Sequence, residues 1–356
     1  MVILHIAAIN DNPCAGVPVA VPQHLIAQRD FADVALLNIR PYKIKNIEKC
    51  FIYKKGFSID ELPDEFTHPD LVVFHEIYYI EFVKLSRSLS KKGIPYIIIP
   101  HGSLTNEAQR KKRIKKLVGN MMLFNSYINN ARAIQFLSDV EMENSNIGKR
   151  RFVEPNGIFM PQSRCRQALN EDKTINLVYI GDLSIQIKGL DLMLGAIKAK
   201  ERILKENGVE VYIYGPDYGT RHKDLMKIIS ELELQDLVHL HDAVVGDEKK
   251  DILLSANGFI QTSRSEGMSM GILEALSYGI PCVVTQGTNL KEIIEENNAG
   301  WGASNTVESI SDAIQQFVTE KEKWNAKSIN AIKLIEKEYS WSVVAQRTVK
   351  AYEDLL

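Results

Sequence analysis

The chain has no cysteines at C-x-x-C spacing, and its four thiols, Cys14, Cys50, Cys165 and Cys282, lie far apart. That pattern argues against a zinc or dithiol redox site and against a disulfide framework, and it fits isolated reduced thiols in a cytosolic protein. An excess of either charge is also missing. With 43 basic and 45 acidic residues the formal charge is −2, so any attraction to nucleic acid or membrane must be local. No apolar run is long enough to span a bilayer. There is no basic leader at the start, where "MVILHIAAINDNP" reads as a first buried strand. Short-period repeats and low-complexity tracts are absent too. What remains is a globular composition, 45% hydrophobic and 25% charged, spread over 356 residues, a length that suits two domains.

Short β-branched runs recur at 2–8, 33–38, 70–75, 95–100 and 133–138, with amphipathic segments between several of them. "YYIEFVKLSRSLSKKG", residues 78–93, has apolar positions at helical spacing and a glycine stop. Continuous apolar strands, as opposed to alternating ones, predict a sheet buried on both faces and therefore parallel. "EPNGIFMPQSRCRQALNEDKT", 154–174, is rich in Pro, Gly, Asn and charge and reads as an interdomain linker. A second series follows, with strands expected at 175–180, 209–214, 237–241, 257–261 and 281–285. Helices are expected at 189–206, 219–231, 247–255, 270–278 and 289–296, and from about 306 onward. The fold class is α/β, with two doubly wound parallel sheets. Two such sheets place a cleft at their carboxyl ends, the usual place for a ligand.

The stretch "TSRSEGMSMGILEALSYG", 262–279, links an apolar strand to a helix and has an acid at each end of an uncharged turn, Glu266 and Glu274. Backbone amides of Gly267, Met268, Ser269, Met270 and Gly271 fall at the helix N-terminus, where they attract phosphate or polar oxygen. The two glycines permit close backbone approach. Carboxylates accept hydrogen bonds from neutral hydroxyls, so acids and amides together suit a sugar nucleotide. Alone, the acids would better fit a loop with two solvated glutamates, one of them stabilising the helix N-terminus.

Three other places bear on that choice. "YIGDLSIQIKGLDLMLGAI", 179–197, is a strand, a glycine turn and a helix, with Lys188 placed to neutralise a diphosphate. Gly16 follows the first strand, but without the G-x-G-x-x-G dinucleotide fingerprint. His75 and His101 each end a strand, in "PDLVVFHE" and "IPYIIIPHGSL", and His101 would emerge at the carboxyl end of the sheet.

In this order the segments resemble the family 4 retaining glycosyltransferases of the GT-B fold, and the resemblance runs through nearly the whole chain. "EGMSMGILE" is similar to the family's E-x7-E motif, "FVEPNGIFMP" to its Pro-Asn-Gly entry into the second domain, and "GDLSIQIKGLDLMLGAI" to its phosphate-binding turn. "GIPCVVT", "AGW" and "YSWSVVAQRTVKAYEDLL" follow in the expected places, the last similar to a final helix crossing back to the first domain. The resemblance implies an acceptor-binding domain over 1–158 with helix 341–356, and a donor-binding domain over 159–340. It implies a nucleotide-sugar donor, UDP favoured over GDP, and a saccharide or polyprenyl-linked acceptor. By the same match Glu266 would bind donor-sugar hydroxyls and Glu274 the ribose. Lys188 would hold the diphosphate, Gly16 would admit the phosphates, and His101 would touch the reacting sugar. Neither a metal nor another cofactor is expected, since side chains and helix N-termini stabilise the leaving phosphate.

Two positions depart from the family pattern. Asp182 stands where an arginine usually follows the glycine of the phosphate turn, with Arg264 as a candidate to compensate. Asp242 stands where glycine is common near the base pocket. Asp182 motivates a second reading, a non-catalytic GT-B scaffold; a third is a sugar-nucleotide epimerase. "RKKRIKK", 110–116, combines Lys111, Lys112, Arg113, Lys115 and Lys116 with an apolar stripe, which predicts attraction to anionic lipid or a lipid pyrophosphate on the acceptor side. Similarity of "PHGSL" and this basic run to capsule and O-antigen enzymes implies work on cell-surface polysaccharide at the inner face of the membrane.

Overall fold

A computed structural model describes residues 1–10, 12, 16–110, 119–145, 147–161 and 174–356. The chain divides into two compact units. One comprises Met1–Gly157 with Trp341–Leu356, and the other comprises Ile158–Ser340.

The first unit contains seven parallel strands: β1 (Val2–Ala7), β2 (Asp33–Asn38), β3 (Cys50–Ile52), β4 (Leu71–His75), β5 (Tyr96–Ile99), β6 (Ala133–Phe136) and β7 (Arg151–Val153), ordered β3-β2-β1-β4-β5-β6-β7. The order reverses beside β1, the switch point of a doubly wound sheet, and a ligand crevice opens at such a point by the strands' carboxyl ends. The central strands β1, β4 and β5 are buried almost throughout, which is why their sequences are continuously apolar. The helix Ile80–Lys91 lies where periodicity placed it and ends at Gly93, whose φ of +70° a glycine adopts without strain.

The second unit contains β8 (Ile175–Ile180), β9 (Val209–Tyr214), β10 (Val238–His241), β11 (Gly258–Gln261), β12 (Cys282–Thr285) and β13 (Gly300–Ala303), also parallel and ordered β10-β9-β8-β11-β12-β13. The expected helix 189–206 is two, Leu190–Ala199 and Glu201–Glu206, broken at Lys200, and a single helical turn Ile185–Lys188 precedes them.

Three strands escaped the sequence reading: β3, β7 and β13. The first two are three-residue outermost strands and the third reads Gly-Trp-Gly-Ala. Such segments carry too little periodicity of their own and are strands because a neighbour offers a hydrogen-bonding edge.

The final helix, Trp341–Glu353, packs on the first unit. Trp341 Nε1 donates to Gln23 (3.0 Å), Arg347 Nε to Glu154 (2.7 Å), and Tyr352 hydroxyl to Gln135 (2.7 Å). Gly157 of the Pro-Asn-Gly segment lies against Trp341, where a Cβ would come within 2.6 Å of the indole. The glycine there is demanded by that contact.

Candidate functional site

β11 runs Gly258–Gln261 and delivers the chain into the 262–269 loop at the sheet's carboxyl edge. Ser269 then precedes an eight-residue helix, Met270–Ser277. No side chain caps that helix and its first turn holds no acid, so its leading amides are not shielded by a carboxylate. Ser269 instead donates its hydroxyl to Gln261 Oε1 (2.7 Å).

Glu266 is held from several sides. Its Oε1 accepts from Gln261 Nε2 (2.9 Å), from Ser263 Oγ (2.7 Å) and from the Lys188 ammonium. Its backbone carbonyl accepts from Asn289 Nδ2 (2.7 Å). Three donors on one oxygen fix the carboxylate's rotation and leave Oε2 with no partner among the described residues. A carboxylate so held can accept a hydroxyl with little further ordering.

Lys188 reaches Glu266 because the chain turns sharply at Gly189. Its φ is +61°, and a Cβ there would collide with the Thr262 carbonyl oxygen, while Thr262 Oγ1 donates to Gly189 O at 2.9 Å. Gly189 thereby welds the loop after β8 to the loop after β11. Glu274, one turn into its helix, pairs with Lys249 of the helix Gly246–Ser255. Gly271 packs with its Cα face toward Ile180 carbonyl oxygen, where a Cβ would stand 3.2 Å away.

Asp182 is paired with Arg221, the first residue of the helix after β9, and its other oxygen accepts from Ser184 N (2.8 Å). Tyr179, buried with its acidity suppressed by desolvation, donates to Asp182 O (2.6 Å) and steadies the turn. Arg264 does not compensate for Asp182 as anticipated. Its guanidinium forms two 2.7 Å bonds to Asp191 and one of 3.1 Å to Gln186 O. Arg221 is the cation beside Asp182. Asp242 is almost fully exposed and lies 3.8 Å from His222.

In the first unit Gly16 opens the helix Gly16–Gln28, with no atom near enough to forbid a Cβ. Together with Asn10, Arg40, Tyr42, Glu76 and Tyr79 it lines a pocket of about 660 Å³. Burial raises the Glu76 pKa, and Tyr79 hydroxyl donates to its carboxylate (3.1 Å).

His101 sits in left-handed backbone, φ +49°, in the turn after β5. A non-glycine residue there is uncommon and the turn must be held. The buried carboxylate of Glu141 holds it, accepting from Gly102 N (2.5 Å) and Leu137 N (2.9 Å). His101 is also bonded to His75, and His75 to His5. Lys111, Lys112, Arg113, Lys115 and Lys116 lie outside the described residues.

Gln261, Ser263, Lys249, Arg221, Glu141 and Asn289 were not singled out from sequence. Only Arg221 carried a local signal, a cation opening a helix after the glycine-containing turn "GPDYGT".

Residues 162–334 match the family model described as "Glycosyl transferases group 1". The GDP-mannose:cellobiosyl-diphosphopolyprenol alpha-mannosyltransferase of Xanthomonas oryzae pv. oryzae is 24% identical over 298 residues, covering 82% of this chain and 76% of that protein. Over residues 162–334 the chain is similar to the group 1 glycosyltransferases, and it has the GT-B fold. The chain is also similar to two solved structures. Sucrose-phosphate synthase from Thermosynechococcus elongatus has a TM-score of 0.74 at 14% identity, covering 99% of this chain and 98% of that one. Anabaena HepE in complex with UDP-glucose has a TM-score of 0.73 at 16% identity, covering 99% of both chains. Three further curated relatives are matched over less than half of their own length, 44%, 46% and 36%.

Proposed function

We propose that the chain is a retaining glycosyltransferase and moves a hexose or N-acetylhexosamine from a nucleotide sugar, UDP-linked in preference to GDP-linked, to a saccharide or polyprenyl-linked acceptor in cell-surface polysaccharide synthesis. The observation that carries this reading is the convergence of Glu266, Lys188 and an uncapped helix N-terminus at one edge of the second sheet. Glu266 Oε2 accepts a donor-sugar hydroxyl and Glu274 the ribose hydroxyls. The amides of Gly267–Gly271 and the Lys188 ammonium take up the charge that develops on the diphosphate as the glycosidic bond breaks.

The reaction needs no protein nucleophile. The acceptor hydroxyl attacks on the face the diphosphate leaves, and a departing phosphate oxygen takes its proton. With the amides and Lys188 to take up the phosphate charge, no metal is expected for it. The pocket lined by Arg40, Tyr42, Glu76 and Tyr79 offers aromatic faces, a cation and an acid to an acceptor. The 110–116 segment adds attraction to an anionic membrane surface at the inner face of the cell membrane.

A non-catalytic reading rested on Asp182. Arg221 balances that acid, so it no longer argues against a diphosphate. The test is a thermal-shift screen against UDP, GDP, ADP and their sugars. A ligand at a hundredfold its Kd stabilises by about 2.7 kcal/mol and thus names the base. Transfer to an acceptor should then vanish in Glu266→Ala. No stabilisation by any nucleotide would overturn the reading, and an epimer formed without acceptor would replace it with the epimerase.

A further inference from the structure

Three histidines of the first unit, His5, His75 and His101, form a staircase. β1 pairs with β4 in the register His5↔Val73, and β4 with β5 in the register His75↔Ile99. His75 is two residues beyond Val73, and His101 two beyond Ile99. Residues two apart on a strand point to one face and lie roughly 6–7 Å apart. The step from His5 to His75 therefore climbs one pleat toward the carboxyl end on a single face, and the turn after β5 brings His101 up to His75. His5 Nδ1 lies 2.9 Å from His75 Nε2, and His75 Nδ1 lies 3.1 Å from His101 Nε2. The lower end is closed by the helix Gly16–Gln28, whose Gln28 Oε1 is 2.8 Å from His5 Nε2.

A neutral imidazole has one N–H and one bare nitrogen. Gln28 Oε1 can only accept, so His5 carries its proton on Nε2 and presents a bare Nδ1. His75 must then donate from Nε2, and by the same step His101 must donate from Nε2. We infer that Gln28, His5 and His75 are positioning residues that lock His101 in the Nε2–H tautomer, so that its Nδ1 is a hydrogen-bond acceptor for a hydroxyl of the bound sugar. This rests on the reading that His101 touches the reacting sugar. Burial supports the neutral relay: it lowers the pKa of His5 and His101 to about 4, and holds His24 and His75 well below the usual range. Among the described residues the ring of His101 is hydrogen-bonded through Nε2 alone, which leaves Nδ1 open.

His24 stands beside the staircase, its Nε2 buried without a partner. Nitrogens of His5, His24 and His75 lie within 4.8 Å of one another. The His5 and His75 nitrogens that a metal would need are, however, committed to each other and to Gln28.

The test is nitrogen NMR of the full chain labelled on histidine, without substrate. In the wild type, His5, His75 and His101 should each show a protonated Nε2 and an unprotonated Nδ1. Couplings across the two N–H···N bonds should join them in that order. Gln28→Met, which keeps the side-chain length and removes the acceptor, should give His101 a mixture of both tautomers. A wild-type His101 protonated on Nδ1 overturns the relay, and this needs no variant to fold. So does an unchanged His101 spectrum in Gln28→Met. A stoichiometric metal on His5, His24 and His75 would overturn it as well. If the tautomers are as stated but His101→Gln leaves transfer unchanged, the role given to His101 fails and the relay stands.

Discussion

Arg221 pairs with Asp182 across the turns that follow neighbouring strands β9 and β8. The acid occupies the place where the family resemblance puts a cation, and Arg221, from the helix after β9, is the cation that stands beside it. Arg221→Ala should weaken nucleotide diphosphate binding about tenfold, or about 1.4 kcal/mol, whereas Asp182→Asn should change it by less than about threefold, the lost anion sparing the phosphates. Isothermal titration with the nucleotide picked out by thermal shift decides. Equal losses in both variants would show that the pair is only a brace for the turn.

Glu266 is expected to act on the sugar and not on the nucleotide. Glu266→Gln keeps the shape of the side chain and its bond from Ser263 but removes the charge. Transfer should fall about a hundredfold, while binding of the free nucleoside diphosphate, compared by calorimetry, should hold within about threefold. Nucleotide binding that collapses along with turnover would assign Glu266 to the phosphates.

Gly189 joins the two loops of the donor side. Gly189→Ala adds a Cβ against the Thr262 carbonyl oxygen in backbone with φ of +61°. Urea unfolding should show a loss of about 2 kcal/mol or more. Gly16→Ala, in open space and without positive φ, should cost the fold less than about 1 kcal/mol.

Acid should destabilise the first unit through its histidines. His5 and His101 are held neutral with pKa values lowered to about 4, against about 6.5 when unfolded. The unfolded chain thus binds more protons between these values. Stability is complete above pH 6.5 and declines toward pH 4, by about 2 kcal/mol per such imidazole at pH 5. Buried Glu76, Glu141 and Glu154 have raised pKa values and oppose the trend nearer the carboxylate range. Urea midpoints at pH 7.5 and 5.0 should differ less in His24→Phe, which removes one unpartnered buried imidazole. An equal fall in that variant would place the acid sensitivity elsewhere.

Membrane attraction is carried by the basic run. Neutralising Lys111, Lys112, Lys115 and Lys116 together should abolish flotation with anionic liposomes at low salt and leave nucleotide binding intact. Undiminished flotation would sink the proposal.

The doubly wound units and the loop from β11 into its helix were legible because their signals are local. Uninterrupted apolar strands mean a sheet covered on both faces, and the glycine at 279, φ +73°, ends the 270–277 helix where the pattern breaks. The E-x7-E spacing likewise sets both acids on one loop and helix. The short strands β3, β7 and β13 were not legible, since an edge partner and not their own residues makes them strands.

Charge partners were the other blind spot. Lys188 and Glu266 are 78 residues apart, and Asp182 and Arg221 are 39 apart. Arg264 was the sequence candidate to compensate for Asp182, and in the fold its guanidinium pairs with Asp191. The histidine staircase is the clearest case: the strand-end histidines 75 and 101 could be read off the chain, but His5 and Gln28 became their partners only through strand register and one helix packing. Elements and backbone turns follow from periodicity and φ preference, which neighbouring residues impose. Which carboxylate meets which cation, and which way a chain of imidazoles points, follows from the sheet order, and that is decided by long-range packing alone.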